Sequence, residues 1–240
     1  MPCSPVAEMP GLISRWLKLF AAAVLFQALF TASAVALGIP ASLDDELTQA
    51  LDLEPDLENG RELFEMCAEC HGPQAWGSAD GVFPQLAGQH RNVIIKQISD
   101  FRHGNRENPA MLPFAEADIL GGPQGVSDVA GYLASLPMTP KPGLGPGSNL
   151  ALGEKVYEES CSVCHDDNAE GFDTFFFPKI QGQHYDYTLR QLKWMKDGNR
   201  RNVYHGMLRR IQKMTIADLE AVSDYVSRLP PDSDETELSE

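Results

Sequence analysis

Past its first forty or so residues the chain runs through short stretches whose apolar positions recur every three or four residues, separated by Gly- and Pro-rich turns. That period predicts amphipathic helices. "LENGRELFEM" (57–66) and "NLALGEKVYEES" (149–160) each read as a helix. So do two later stretches: Val93, Ile94, Gln97, Ile98 and Phe101 share one face, and Tyr187, Thr188, Gln191, Leu192 and Met195 share another. A further pair, "DVAGYLASLP" (128–137) and "DLEAVSDYVSRLP" (218–230), each ends at Leu-Pro, where a helix stops. "TIAD" (215–218) has the form of a capping box. No stretch alternates apolar and polar residues as a strand would. The predicted fold class is all-α.

The helices come as two sets. Shifting the sequence by 94 positions lays Cys67 on Cys161, Cys70 on Cys164 and His71 on His165. In the same register "FPQLAGQH" (83–90) meets "FPKIQGQH" (177–184), and "GNREN" (104–108) meets "GNRRN" (198–202). A gapless match at such positions makes the chain a tandem duplication. Gly60 and Gly153 sit inside predicted helices, each followed four residues later by an aromatic, Phe64 or Tyr157. Glycine costs about 1 kcal/mol there relative to Ala, so both predict close approach by another backbone. The division that follows is 44–138 and 150–230 for the two units, joined by a Pro- and Gly-rich linker at 139–149. Three short helices make a thin core unless something large and apolar fills it.

The ends differ from this pattern. Residues 1–36 read as a signal peptide: Arg15 and Lys18 precede an apolar run that ends in small residues suited to cleavage, with an uncleaved anchor as the alternative. Either way the remainder is exported. The acidic stretch 231–240 is expected to be a disordered tail. Over 240 residues, 34 Asp and Glu face 19 Lys and Arg, a net charge of −15. That balance disfavours nucleic acid and favours partners with basic surfaces.

Candidate chemistry sits in the repeated C-x-x-C-H. Two thiols at this spacing bond covalently to the vinyl groups of a porphyrin and deliver the adjacent His to one face of its iron. Cys67, Cys70 and His71 form one such set; Cys161, Cys164 and His165 form the other. Paired zinc half-sites would stand some 15–20 residues apart, and a dithiol redox pair expects a βαβ context. Structural disulfides would not need a His in both copies. The expected cofactors are therefore two covalent haem c groups.

With "FPQLAGQH…KQISDFRHGNR" echoed by "FPKIQGQH…RQLKWMKDGNR", a Met downstream of each motif, and Tyr132 and Tyr225 in the last helices, the chain after its leader resembles the dihaem cytochromes c of the c4 type. The resemblance implies two class I cytochrome c domains related by pseudo-twofold symmetry, with Gly60/Phe64 packed on the helix of Tyr132 and Gly153/Tyr157 on that of Tyr225. It also implies that the carbonyls of Pro84 and Pro178 orient His71 and His165.

Electron-transfer haem iron has both axial positions filled. In the first copy the second ligand is expected to be Met111. In the second, aligning "AML" with "GML" selects Met207, whereas the gapless register offers His205, and Met214 lies further on. Arg102, Arg106 and Arg200 are candidates either for haem propionates or for solvated helix faces. His90 and His184 read as helix-entry polar groups, and Trp76 and Trp194 as haem-edge packing. The function expected is a periplasmic electron carrier, and the resemblance implies as its partners a quinol-oxidising complex and a membrane-bound terminal oxidase or reductase. The alternatives are a dihaem enzyme, peroxidase-like or thiosulfate dehydrogenase-like, or the cytochrome subunit of a larger dehydrogenase or oxidase.

Overall fold

The computed structural model describes residues 43–231; the expected leader and acidic tail fall outside them, apart from Pro231. Within the described residues the chain is helical, its nearest approach to a sheet being a single bridge between Phe172 and Phe177. The first half holds α1 (Leu43–Asp52), α2 (Leu57–His71), α3 (Arg91–Arg102), the short α4 (Leu112–Ala115) and α5 (Ala117–Leu120), and α6 (Pro123–Ser135). The second holds α7 (Leu150–Ser160), α8 (Ser162–His165), a 3-10 turn (Asp173–Phe175), α9 (Tyr185–Lys196), α10 (His205–Ile211) and α11 (Ile216–Ser227).

The closest helix pairs are α2 with α6 and α7 with α11. Their crossings depend on the two glycines singled out by the repeat. A Cβ on Gly60 would lie 2.2 Å from the Asp128 carbonyl oxygen, and one on Gly153 would lie 2.2 Å from that of Ala221. Four residues on, Phe64 meets Tyr132 at 5.7 Å between ring centroids, and Tyr157 meets Tyr225 at 5.6 Å. Missing side chains thus let two helix backbones touch, and aromatic pairs fill the space beside them.

Helix ends follow local chemistry. Asp56 caps α2 by accepting from the Glu58 and Asn59 N–H groups. Thr215 and Asp218 cap each other at the start of α11, the Asp218 N–H donating to Thr215 Oγ1 at 3.1 Å and the Thr215 N–H to Asp218 Oδ2 at 2.7 Å.

Two features depart from expectation. Helix α1 has no counterpart in the second half; Leu47, Ala50 and Leu51 pack on the first core, and the Arg91 guanidinium gathers the Ala50, Leu51 and Leu53 carbonyls at the helix end. The Pro- and Gly-rich linker is not a free spacer but is fastened at several points. The Gly143 N–H donates to His184 Nδ1 (2.9 Å), the Gly147 N–H to Asp224 (2.6 Å), and Arg228 donates to the Gly145 carbonyl (2.7 Å). Backbone polar groups held against protein need partners, and this segment finds them in side chains.

The halves meet through a doubled set of bonds. His184 Nε2 lies 2.7 Å from the Trp76 carbonyl oxygen, and His90 Nε2 lies 2.8 Å from that of Glu170, the residue 94 positions after Trp76. A twofold contact uses the same residues twice, and this one does.

Candidate functional site

Helix α2 ends at His71, so one turn presents Cys67, Cys70 and His71 together. In the second half Cys161 interrupts the same path between α7 and α8, but the His165 N–H still donates to the Cys161 carbonyl at 3.0 Å and the helical course is kept. Both imidazoles are buried. His71 Nδ1 lies 3.0 Å from the Pro84 carbonyl oxygen, and His165 Nδ1 lies 2.9 Å from that of Pro178. A carbonyl only accepts, so each Nδ1 carries the proton and each Nε2 keeps its lone pair. Burial holds both rings below the ordinary histidine range, in the neutral form a metal ligand requires.

His71 Nε2 is buried and has no hydrogen-bond partner, which is costly unless something else uses its lone pair. It faces a cavity of about 1430 Å³ that extends past both His-bearing walls, larger than the roughly 300–1,000 Å³ of a single small-ligand pocket. The lining is mainly apolar, with Phe64, Ile94, Leu133, Leu192, Val222 and Val226 among it. Cys67, Cys161 and Cys164 line the cavity and Cys70 is exposed one turn on from Cys67, so a large flat apolar group tied to the cysteines of each motif fits this space. The thiols do not suit a redox pair. Burial raises Cys67 and pushes Cys161 up to about 12, whereas reactive dithiols have lowered values.

Met111 lines this cavity as the residue that opens α4. In the second half His205, Met207 and Met214 all line it, in different settings. Met207 is half-buried and packs on Leu189, Met195, Ile211 and Leu219, as does Met214; His205 is exposed at the first residue of α10. The second half adds an aromatic rim, with Phe175 and Tyr204 each 64% exposed on either side of Phe177.

Several expected roles change. Arg102 is neither solvated nor turned to the cavity: its guanidinium is taken by the Ala115 carbonyl, the Glu46 carboxylate and, at 3.2 Å, the Gly121 carbonyl. Trp76 does not line the cavity; its indole N–H donates to the Pro137 carbonyl at 2.9 Å. Trp194 does line it, with the Arg190 guanidinium 5.7 Å from its ring centroid. His90 and His184 do stand at the entry of α3 and α9 as their N-cap residues, but their rings make no cap bond and bridge the halves. Gln89 and Gln183 also join the halves, and their recurrence in "GQH" is the one sequence signal for that role.

Comparison with known proteins agrees with this geometry. The cytochrome c family model matches residues 57–137 and again 150–230. Cytochrome c4 of Thiocapsa roseopersicina is 34% identical over 68% of this chain and 87% of that protein. A protein of Stutzerimonas stutzeri described as a thiosulfate dehydrogenase electron acceptor is 32% identical over 68% of this chain and 78% of its own length. The crystal structure of reduced recombinant cytochrome c4 from Pseudomonas stutzeri superposes with a TM-score of 0.65 at 30% identity, covering 73% of this chain and 99% of that one.

Proposed function

Because the chain belongs to the cytochrome c family, as a tandem c4-type electron-transfer cytochrome with two covalently attached haem c groups, we propose that it is an exported periplasmic carrier that passes electrons from a respiratory donor complex to a terminal oxidase or reductase. The observation that carries this reading is the pair of buried imidazoles, each held by a proline carbonyl and each lining the cavity. Cys67 and Cys70, and Cys161 and Cys164, anchor the groups, and the haem supplies a one-electron centre. What the chain adds is ligand orientation, an apolar wall and control of solvent access.

Met111 and Met207 are the proposed second axial ligands. The apolar packing of Met207 and the exposure of His205 support that choice over the gapless register. We assign residues 44–138 and 150–230 to the two domains, 139–149 to the linker and 1–36 to a signal peptide. Among the described residues no helix is long and apolar enough to cross a membrane. Charge supports a basic partner for the first half in particular: residues 43–138 hold 16 Asp and Glu against 5 Lys and Arg, whereas residues 139–231 hold 12 of each.

A donor of the dehydrogenase class is a second reading, motivated by the relative described as a thiosulfate dehydrogenase electron acceptor. An enzyme with a cysteine ligand on its iron finds no thiol free here, since all four cysteines of 43–231 lie in the C-x-x-C-H pairs. The test is intact-mass spectrometry of the mature protein followed by peroxide addition. The expected result is polypeptide plus two haems, no free thiol, and spectra indifferent to peroxide. A missing haem, or turnover of peroxide, overturns the carrier.

A further inference from the structure

Arg106 and Arg200 stand 94 residues apart at equivalent positions, yet they converge on one spot between the halves. Arg106 Nη1 donates to Gln97 Oε1 at 2.7 Å, and its Nη2 to Gln191 Oε1 at 3.3 Å and to the Tyr187 hydroxyl at 3.0 Å. Arg200 mirrors the glutamine contacts, with Nη1 donating to Gln191 Oε1 at 2.9 Å and Nη2 to Gln97 Oε1 at 3.3 Å, while its Nε donates to Asn202 Oδ1 at 2.9 Å. Each glutamine oxygen therefore accepts from a guanidinium of its own half and from one of the other. All five side chains line the cavity that extends past the two haem-binding walls.

Two like charges sharing neutral acceptors is an expensive arrangement. Burial first, then the neighbouring Arg106, lowers the Arg200 pKa to about 9. The nearest acid on this cluster is Asp100, which already accepts from Lys96 at 2.7 Å and from Asn202 at 2.8 Å. Glu107 is engaged by Arg201 at 2.7 Å. Among the described residues neither Arg106 nor Arg200 has a hydrogen-bonded carboxylate. Planar guanidiniums facing a cavity are suited to binding carboxylates with two parallel bonds. The only groups expected in that cavity, the haems, each bear carboxylate side chains.

We propose that Arg106 and Arg200, held by Gln97 and Gln191, form one carboxylate site shared by both halves, whose ligands are the ionised acid side chains of the two haems, so that each arginine acts on both haems. The inference rests on the two-haem reading. It deepens that reading by giving two positioning residues an electrostatic coupling role that a mere domain contact would not have.

The experiment uses full-length Arg106→Gln, Arg200→Gln and Arg200→Lys, each first weighed intact to establish that both haems are attached. A haem deficit at that step counts against the two-haem reading and is seen separately. NMR-monitored redox titration then follows each haem by its own resonances. Either Gln variant is expected to lower both potentials, each by at least a tenfold change in the oxidised-to-reduced ratio, about 59 mV for one electron. Arg200→Lys, which keeps the charge, should hold both within that margin. A shift confined to the haem in the mutated half, or no shift, overturns the proposal. So does a dependence of the wild-type potentials on added phosphate at constant ionic strength, which would mean a free anion fills the site. Should neither Gln variant accumulate, the wild type still decides: a shared site requires each potential to depend on the other haem's redox state, and two independent one-electron curves would refute it.

Discussion

Gln89 reads the backbone of Lys179 twice: its side-chain nitrogen donates to the Lys179 carbonyl at 2.9 Å, and its oxygen accepts from the Lys179 N–H at 3.0 Å. Gln183 does the same to Gln85, at 2.9 and 3.0 Å, and Gln85 is the residue 94 positions before Lys179. One amide side chain thus replaces a strand partner on each side of the interface.

Truncating either glutamine should loosen the halves without touching the haems. A net hydrogen bond is worth about 1 kcal/mol, and each change removes three, two across the interface and one from the N–H of the following histidine, while leaving backbone groups unpaired. Gln89→Ala and Gln183→Ala are each expected to cost about 1–3 kcal/mol in denaturant unfolding, with haem content and visible spectrum unchanged. An unmoved midpoint in both would show that solvent replaces these bonds at no cost.

Gly60→Ala sets two effects against each other. Helix propensity favours Ala by about 1 kcal/mol, but the new Cβ would stand 2.2 Å from the Asp128 carbonyl oxygen, and overpacking of this kind costs about 1–3 kcal/mol or more. The steric term wins, and the melting temperature should fall; Gly153→Ala should behave alike. A rise in either melting temperature would mean that the paired helices separate freely.

His184 gives the interface a pH dependence. Its Nδ1 accepts from the Gly143 N–H and its Nε2–H donates to the Trp76 carbonyl, so the neutral ring is the bonded form. Burial lowers its pKa, and the Trp76 carbonyl and, after it, nearby Asp80 only partly oppose this. The unfolded chain then binds the extra proton more readily. The stabilising contribution is full above the unfolded value of about 6.5 and declines as pH falls below it. His184→Asn should flatten that part of the stability profile, as read from urea midpoints between neutral and mildly acidic pH. A profile unchanged by the substitution would remove His184 from the account.

The second axial ligand separates two alignments. Met207→Ala is expected to give a high-spin second haem with a lowered potential, and His205→Ala to leave both spectra as they were. The reverse result would make the gapless register correct and the second haem bis-histidine.

What could be read in advance divides by kind of interaction. The C-x-x-C-H pairs, Gly60 with Phe64 and the Thr215–Asp218 cap are local, and each leaves its mark in residue types at fixed spacing. The interface is not local. His184 ends on the carbonyl of Trp76 and Gln89 on the backbone of Lys179, and a main-chain oxygen carries no residue signature. Arg102 shows the same blindness. Its charge suggested solvent or a propionate, but Glu46, which answers it, lies in a helix that the second copy lacks.

The doubled interface also bears on how chains can pair with one another. Each half carries both a reading glutamine and a backbone to be read, so a half can dock on any copy of its counterpart, including one on another molecule. Exchange of halves between two chains would conserve every one of these contacts, which is the condition for domain swapping. What opposes it is the segment between them: with Gly143 bonded to His184 and Gly147 to Asp224, the connection is short and fixed, and each first half is held within reach of its own second half. Lengthening that segment with flexible residues should turn an intramolecular assembly into a concentration-dependent, intertwined dimer.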